Sequence, residues 1–417
     1  MDKSFYMENR RALYARIPGD ALILSFAGEA LRRTADAFHG FFANRNFAYL
    51  TGAGLPNAQK FVFLAEKRGE KVREALFILP PDAHLERWNG RRVKADEARA
   101  LTGIEEIAWV EDFPARFHKL AGSGAFEHLY LDIDRLKPGE PESDADRFAA
   151  LAAREYPFLA VKNLLPHLRS LRTIKKPCEI DAMTRAMTVT REGVLDMMRA
   201  CRPGMAEYEL KAVYDAALTR NGVLTPAFPP IISAGKNNFC IHYDAYTGQV
   251  EDGDMVLNDV GAIWDNECND VSRGWPVNGK FSREQALLYT CAFNTSEYMF
   301  SILKPGMPMA DVDLTARKYN FEQLKSIGLV KEYEEVGRYM WHGGAHHVGF
   351  DVHDVVDMTR PVSAGMVFCV DIGIYNEEWG IGFRLEDNCL ITEDGAVNLS
   401  RSIPRSIEDI EAAMAAR

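Results

Sequence analysis

The chain has 417 residues, 47% hydrophobic and 26% charged, which is longer than one core usually fills and has the composition of an ordinary globular protein. Its 49 Lys and Arg stand against 60 Asp and Glu, a formal charge of −11 with no basic block, and this excludes nucleic acid and anionic lipid as main partners. No window approaches the ~20 apolar residues that a membrane-spanning helix needs, so no membrane partner is expected.

The first 170 or so residues alternate short apolar runs with helical stretches. Residues 21–26, 61–64, 75–79 and 129–133 read as strands between turn and helix signals, an α/β pattern, with a polar loop at 138–144. No apolar run accompanies Glu8-Asn9-Arg10-Arg11, so no secretory signal is expected. The basic stretch 169–176 reads as a linker, and Pro177 suits the first turn of a long helix. The expected domains are therefore residues 1–172 and 173–417. Seven scattered cysteines (178, 201, 240, 268, 291, 369, 389) never form a C-x-x-C, which implies free thiols and a cytoplasmic location.

The second half repeats itself. Ile180, Met183, Met187, Val194 and Met197 recur at helical spacing until Pro203-Gly204-Met205 breaks the pattern, and a second helix ends near Gly222. Residues 285–303, Pro305-Gly306-Met307 and a helix to Gly328 copy that layout. Each copy then meets a histidine, His242 or His346, and a pair of carboxylate-bearing strands. The offset is 102 residues at the glycines and 104 at the histidines. Two αα-ββ halves facing each other across one shared curved sheet are expected.

The strands carry the chemistry. Residues 256–263 and 267–275 read as a hairpin turning near Trp264-Asp265-Asn266, and antiparallel pairing puts Asp259 and Asp270 opposite each other or one diagonal apart. Residues 366–376 and 383–392 form a second hairpin that puts Asp371 and Glu386 on one face. Four acids crowded on apolar strands are costly unless something neutralises them, and a metal pair does so. Taken singly, each acid is more simply an outward-facing surface group; the matched hairpins favour the cluster. The run from Trp341 to Asp354 also holds four of the ten histidines, His342, His346, His347 and His353, in a glycine-rich loop able to present imidazole. For His347, local hydrogen bonding is the simpler role.

An oxygen-rich donor set with one imidazole suits manganese, iron or cobalt better than a structural zinc. The donor count exceeds one tetrahedral ion, so two divalent ions ~3.5–4 Å apart, bridged by carboxylates and a water or hydroxide, are expected, with Mn(II) favoured and Co, Fe or Zn as alternatives. P-loop, H-E-x-x-H, G-x-S-x-G and Rossmann fingerprints are absent from the sequence.

At these residues the chain resembles the aminopeptidase P and prolidase branch of the pita-bread metallopeptidases. The resemblance rests on Val256-Leu257-Asn258-Asp259-Val260-Gly261, the block from Asn269 to Lys280, the histidine loop, and Gly382-Phe383-Arg384-Leu385-Glu386-Asp387. It implies an α/β (α+β) protein with a pita-bread catalytic domain behind a creatinase/aminopeptidase P-like N-terminal domain. By the same likeness Asp259, Asp270, His346, Asp371 and Glu386 would ligate metal, His242 and His353 would hold substrate and stabilise the tetrahedral intermediate, and His342 and Arg384 would line the substrate pocket or support the ligands. Ala48-Tyr49-Leu50-Thr51-Gly52-Ala53-Gly54 and Trp88-Asn89-Gly90-Arg91-Arg92 match the family's N-terminal domain, which implies a homodimer or larger homo-oligomer with Trp88 near a neighbour's site. The family's Glu-Pro-Gly stands here as Asp371-Ile372-Gly373, and its glutamate also takes a proton in catalysis. The implied activity is release of an N-terminal residue before proline. An Xaa-Pro dipeptidase or another C–N amide hydrolase is the first alternative, and a non-catalytic binding protein the second.

Overall fold

In the computed structural model, which describes residues 1–135 and 137–416, the chain divides into Met1–Leu171 and Arg172–Arg417. The first unit holds α1 (Lys3–Tyr14), β1 (Ala21–Phe26), α2 (Arg45–Thr51), β2 (Val62–Arg68), β3 (Lys71–Ile78), α3 (Ala83–Asn89), α4 (Ala95–Thr102), β4 (Glu106–Trp109), α5 (Phe113–Ala121), β5 (His128–Leu131), α6 (Asp144–Glu155) and β6 (Ala160–Asn163), and α7 (Leu165–Arg172) leads out of it. The strands form one mixed sheet in the order β4-β3-β2-β1-β5-β6. Leu22, Leu24, Leu64 and Phe77 of the sheet pack with Phe113 and Phe117 of α5, and burying each such side chain contributes roughly 1.5–3 kcal/mol. The expected linker is helical as far as Arg172, because α7 continues to that residue.

The second unit holds α8 (Pro177–Ala200), α9 (Glu207–Arg220), β7 (Ile231–Ala234), β8 (Met255–Val260), β9 (Ile263–Trp264), β10 (Glu267–Cys268) and β11 (Val271–Pro276). Then follow α10 (Arg283–Ile302), α11 (Met309–Ser326), β12 (Ala345–His347), β13 (Val367–Asn376), β14 (Ile381–Thr392), β15 (Gly395–Asn398) and α12 (Ile407–Ala415). Pro177 opens α8 and the Glu179 carboxylate accepts the Lys176 amide at 2.7 Å, while Ser282 and Gln285 close a reciprocal cap on α10. The duplication is visible in hydrogen bonds. Gly204 donates to Val250 O and Val250 donates to Met205 O, both at 2.8 Å, and Gly306, Val362 and Met307 repeat the pair at 2.8 Å each. Both glycines need positive φ, +88° and +95°, which explains the Pro-Gly-Met break in each copy.

The strands do not make one ladder. They form a three-stranded sheet, β11-β8-β7, and a four-stranded sheet, β12-β13-β14-β15. Side chains join the two. Asn388 Nδ2 donates to Asp270 O at 2.7 Å while its Oδ1 accepts Asp270 N at 3.2 Å, and Arg273 Nη1 donates to Glu386 O at 2.8 Å. The histidine equivalence also fails: His346 lies on β12, whereas His242 lies in the loop beyond β7, which is the strand matching β12. Among the described residues no helix is long and apolar enough to cross a membrane.

Candidate metal centre

Two hairpins build the site. Trp264 pairs with Glu267 across Asp265-Asn266, both with positive φ (50° and 73°), a two-residue turn that Asp and Asn tolerate. Beyond it, Asp259 pairs with Ser272, which leaves Asp270 one diagonal away on the same face. In the second hairpin Asp371 pairs directly with Glu386 and His346 pairs with Cys369. β13 is buried on both faces. Phe368, Val370, Ile372 and Ile374 enter the main core, so Cys369, Asp371 and Tyr375 share the opposite face.

All four acids are buried: Asp259 is 8%, Asp270 4%, Asp371 7% and Glu386 2% exposed. His346 joins them, with Nε2 3.2 Å from Glu386 Oε1 and 3.5 Å from Asp270 Oδ2. Its Nδ1 lies 3.3 Å from His347 O, an N–H donation that orients the ring with Nε2 toward the carboxylates. Burial works against its charge, but Glu386 and Asp371 pull the imidazole up to about 9. Burial, then Glu386 and Asp259, push the Asp270 carboxyl well above the usual carboxylate range. One oxygen each of Asp259, Asp270 and Asp371 is buried without a hydrogen-bond partner. Orphaned buried carboxylate oxygens are what a divalent cation satisfies, and donor atoms of Asp270, His346 and Glu386 lie within 4.8 Å of one another, so the residues fit a metal.

The remaining oxygens are held in place. Ser272 Oγ donates to Glu386 Oε2 at 2.7 Å, and Arg384 Nη2 donates to Asp259 Oδ2 at 2.7 Å. His342 Nδ1 lies 3.1 Å from Asp371 Oδ2, its Nε2 3.1 Å from Tyr375 Oη, and Arg384 Nη1 donates to that hydroxyl at 3.0 Å. His342 and Arg384, expected to line the substrate pocket or support the ligands, are turned toward carboxylates; Arg384 is 2% exposed. Ser272, Tyr375 and Cys369 were missed, although the same strand parity places them beside the acids. His347 is buried on β12, and its Nδ1 has no hydrogen-bond partner among the described residues.

His242 and His353 are exposed and line a cavity of about 220 Å³ with Phe228, Pro229, Ile231, Asp244, Asp259, Asp270 and Val352. His353 lies beside His346, ring centroids 4.4 Å apart. Burial and the neighbouring His346 hold the His353 imidazole below its usual range. Its position is set by the next residue: Asp354 takes Arg172 Nη2 and Lys175 Nζ, each at 2.5 Å. Gly349 passes this pair so closely that a Cβ would lie 2.4 Å from Asp354 Oδ2. The His242 loop is pinned by Glu207, whose carboxylate accepts Ala234 N, Asn237 Nδ2, Tyr243 Oη and Gly248 N at 2.6–2.9 Å.

Known proteins share this arrangement. The family Metallopeptidase family M24 matches residues 181–393, and Aminopeptidase P, N-terminal domain, matches residues 6–130. A Xaa-Pro aminopeptidase of Haemophilus influenzae is 30% identical over 99% of this chain and 97% of its own length. Among solved structures, a Bacillus anthracis chain assigned as an aminopeptidase P has a TM-score of 0.96 at 35% identity, covering 100% of this chain and 99% of that one. Zn-substituted Escherichia coli aminopeptidase P in complex with product has a TM-score of 0.90 at 28% identity, with coverage of 100% and 99%. The chain belongs to metallopeptidase family M24, in its aminopeptidase P branch, and is a divalent-metal hydrolase.

Proposed function

We propose that this enzyme removes the N-terminal residue from peptides with proline in second position, using two divalent ions held by Asp259, Asp270, His346, Asp371 and Glu386. The observation that carries this reading is the burial of four acids on two hairpins beside His346 of β12, with three of their carboxylate oxygens lacking partners. When bound, the ions activate a water for attack and polarise the scissile carbonyl. Asp371 then accepts the water's proton, oriented by His342 on its other oxygen. His353 donates its N–H to the developing oxyanion, and His242 holds the peptide across the cavity mouth. Phe228, Pro229, Ile231 and Val352 offer an apolar wall suited to a pyrrolidine ring.

Mn(II) is the proposed metal, because carboxylate oxygens dominate the donor set. Chelation should abolish cleavage of Xaa-Pro peptides, and Mn(II) or Co(II) should restore it more fully than Mg(II), which accepts imidazole poorly. Full turnover in protein stripped of metal would overturn the reading. Asp371 favours one second reading, a different amide substrate, since aspartate is shorter than the family's glutamate by one C–C bond of about 1.5 Å. Asp371→Glu should keep its metal and raise kcat/KM on Xaa-Pro peptides. A fall, with native activity on simple amides, would favour the second reading.

The chain is also proposed to work in the cytoplasm, since among the described residues no cysteine is joined to another in a disulfide. Trp88, 76% exposed on α3 beside Arg91 and Arg92, supports a homodimer or larger homo-oligomer. Sedimentation showing an active monomer at every concentration would remove that proposal.

A further inference from the structure

Cys369 precedes Asp371 by two residues on β13 and therefore shares its face. Its sulfur, an imidazole nitrogen of His346 and one carboxylate oxygen each of Asp270 and Glu386 all lie within 4.8 Å of one another. Asp270 Oδ1 has no hydrogen-bond partner in this group, although the residue is only 4% exposed. Asn388 Nδ2 donates to the Cys369 sulfur at 3.1 Å. The sulfur thus serves as an acceptor, oriented by an outer amide in the way a metal-ligating thiolate is.

We propose that Cys369 is a further metal ligand, completing a sulfur, nitrogen and oxygen donor set with Asp270, His346 and Glu386. The inference rests on the two-ion reading above and makes its two halves unequal. Asp259 and Asp371 offer oxygen to a hard ion, whereas the sulfur-bearing side prefers a borderline cation such as Zn(II) or Co(II). On binding, the S–H bond breaks, its proton leaves to solvent, and the sulfur electron pair forms the bond to the metal. Nothing is oxidised or reduced. The competing role for Cys369 is packing, since the residue also belongs to a buried apolar cluster with Met183, Cys268, Val348 and Val367.

Co(II) titrated into chelator-treated full-length protein separates these roles. A near-ultraviolet thiolate-to-cobalt charge-transfer band is expected to saturate at one equivalent. Cys369→Ser should abolish the band and weaken Zn(II) binding by on the order of 10–100-fold, the loss seen even when groups behind a ligand are removed. Cys389→Ser should keep the band, because Cys389 is buried on the core face of β14. X-ray absorption at the zinc edge of the unaltered protein, which needs no variant, should show a sulfur at ~2.3 Å. Bound Co(II) or Zn(II) with no sulfur signal by either method would overturn the role of Cys369 and leave the metal centre standing. No bound ion at all would overturn the metal centre and the proposal together.

Discussion

Buried carboxylates in the second unit fall into two groups under opposite electrostatics. Asp387 is fully buried, yet Arg273 Nη2 meets its Oδ1 at 2.7 Å, Arg405 Nε its Oδ2 at 3.0 Å, and Ser400 Oγ its Oδ1 at 2.7 Å. Burial pushes this carboxyl up, but the two guanidiniums outweigh it and hold the group at about 2. Asp354, between Arg172 and Lys175, is likewise held at about 2 against its burial. Asp270 is almost as deep and is driven the other way, because its nearest charges are Glu386 and Asp259. Asp259 stands between the groups, with one oxygen on Arg384 and the other unpartnered. At Asp387 and Asp354 the fold supplies its own cations, whereas at Asp270 it supplies no lysine or arginine and leaves one oxygen unpartnered among the described residues.

The largest test breaks a pair on the structural side. Arg273→Met leaves Asp387 one guanidinium short in a dry interior, and removal of one partner from such a pair typically costs about 3–5 kcal/mol. Urea unfolding should show that loss, and a cost near zero would mean the pairing does not hold the sheet. The next is pH. Asp354 and Asp387 have folded values of about 2 against a reference of 3.8, so each stabilises the fold above the reference value. That contribution, about 2–3 kcal/mol for each group, disappears as pH falls through 3.8 toward 2. Urea midpoints that stay level from pH 5 to pH 2 would contradict it. The smallest effect has the opposite sign. In chelated protein Asp270→Asn should stabilise, by about 1 kcal/mol or ~2–4 °C in Tm, while metal affinity is lost. If it destabilises as Asp387→Asn does, the two groups are not different in kind.

Strand parity made much of this legible beforehand. Side chains alternate with period two, so the sharing of a face by Asp371 and Glu386, and by Asp259 and Asp270, follows from any hairpin register of the right parity. The Pro-Gly-Met breaks revealed the duplication because positive φ selects glycine. Other features have no periodic signature. Asn388 bridging two sheets through its carboxamide, Arg384 turning to Asp259, and Glu207 pinning the His242 loop are single side chains meeting partners 27 or more residues away. The halves also diverged in their pairings, Asp259 facing a serine where Asp371 faces a glutamate, so matching acids by chain order hides which positions correspond.

The donors come from both copies of the repeat, Asp259 and Asp270 from one, His346, Asp371 and Glu386 from the other. A cation shared among them would tie together chain segments separated by the whole of α10 and α11, closing a long polymer loop alongside the side-chain contacts and the Cys268 N to Gly349 O hydrogen bond that already span it. A ligand that binds only the folded chain at a thousand times its Kd adds about 4 kcal/mol to stability. With the donors as proposed, metal supply would govern how long the polypeptide survives as well as whether it is active: chain starved of metal should be degraded sooner, and equal proteolysis rates with and without chelator would show that the clasp carries no such weight.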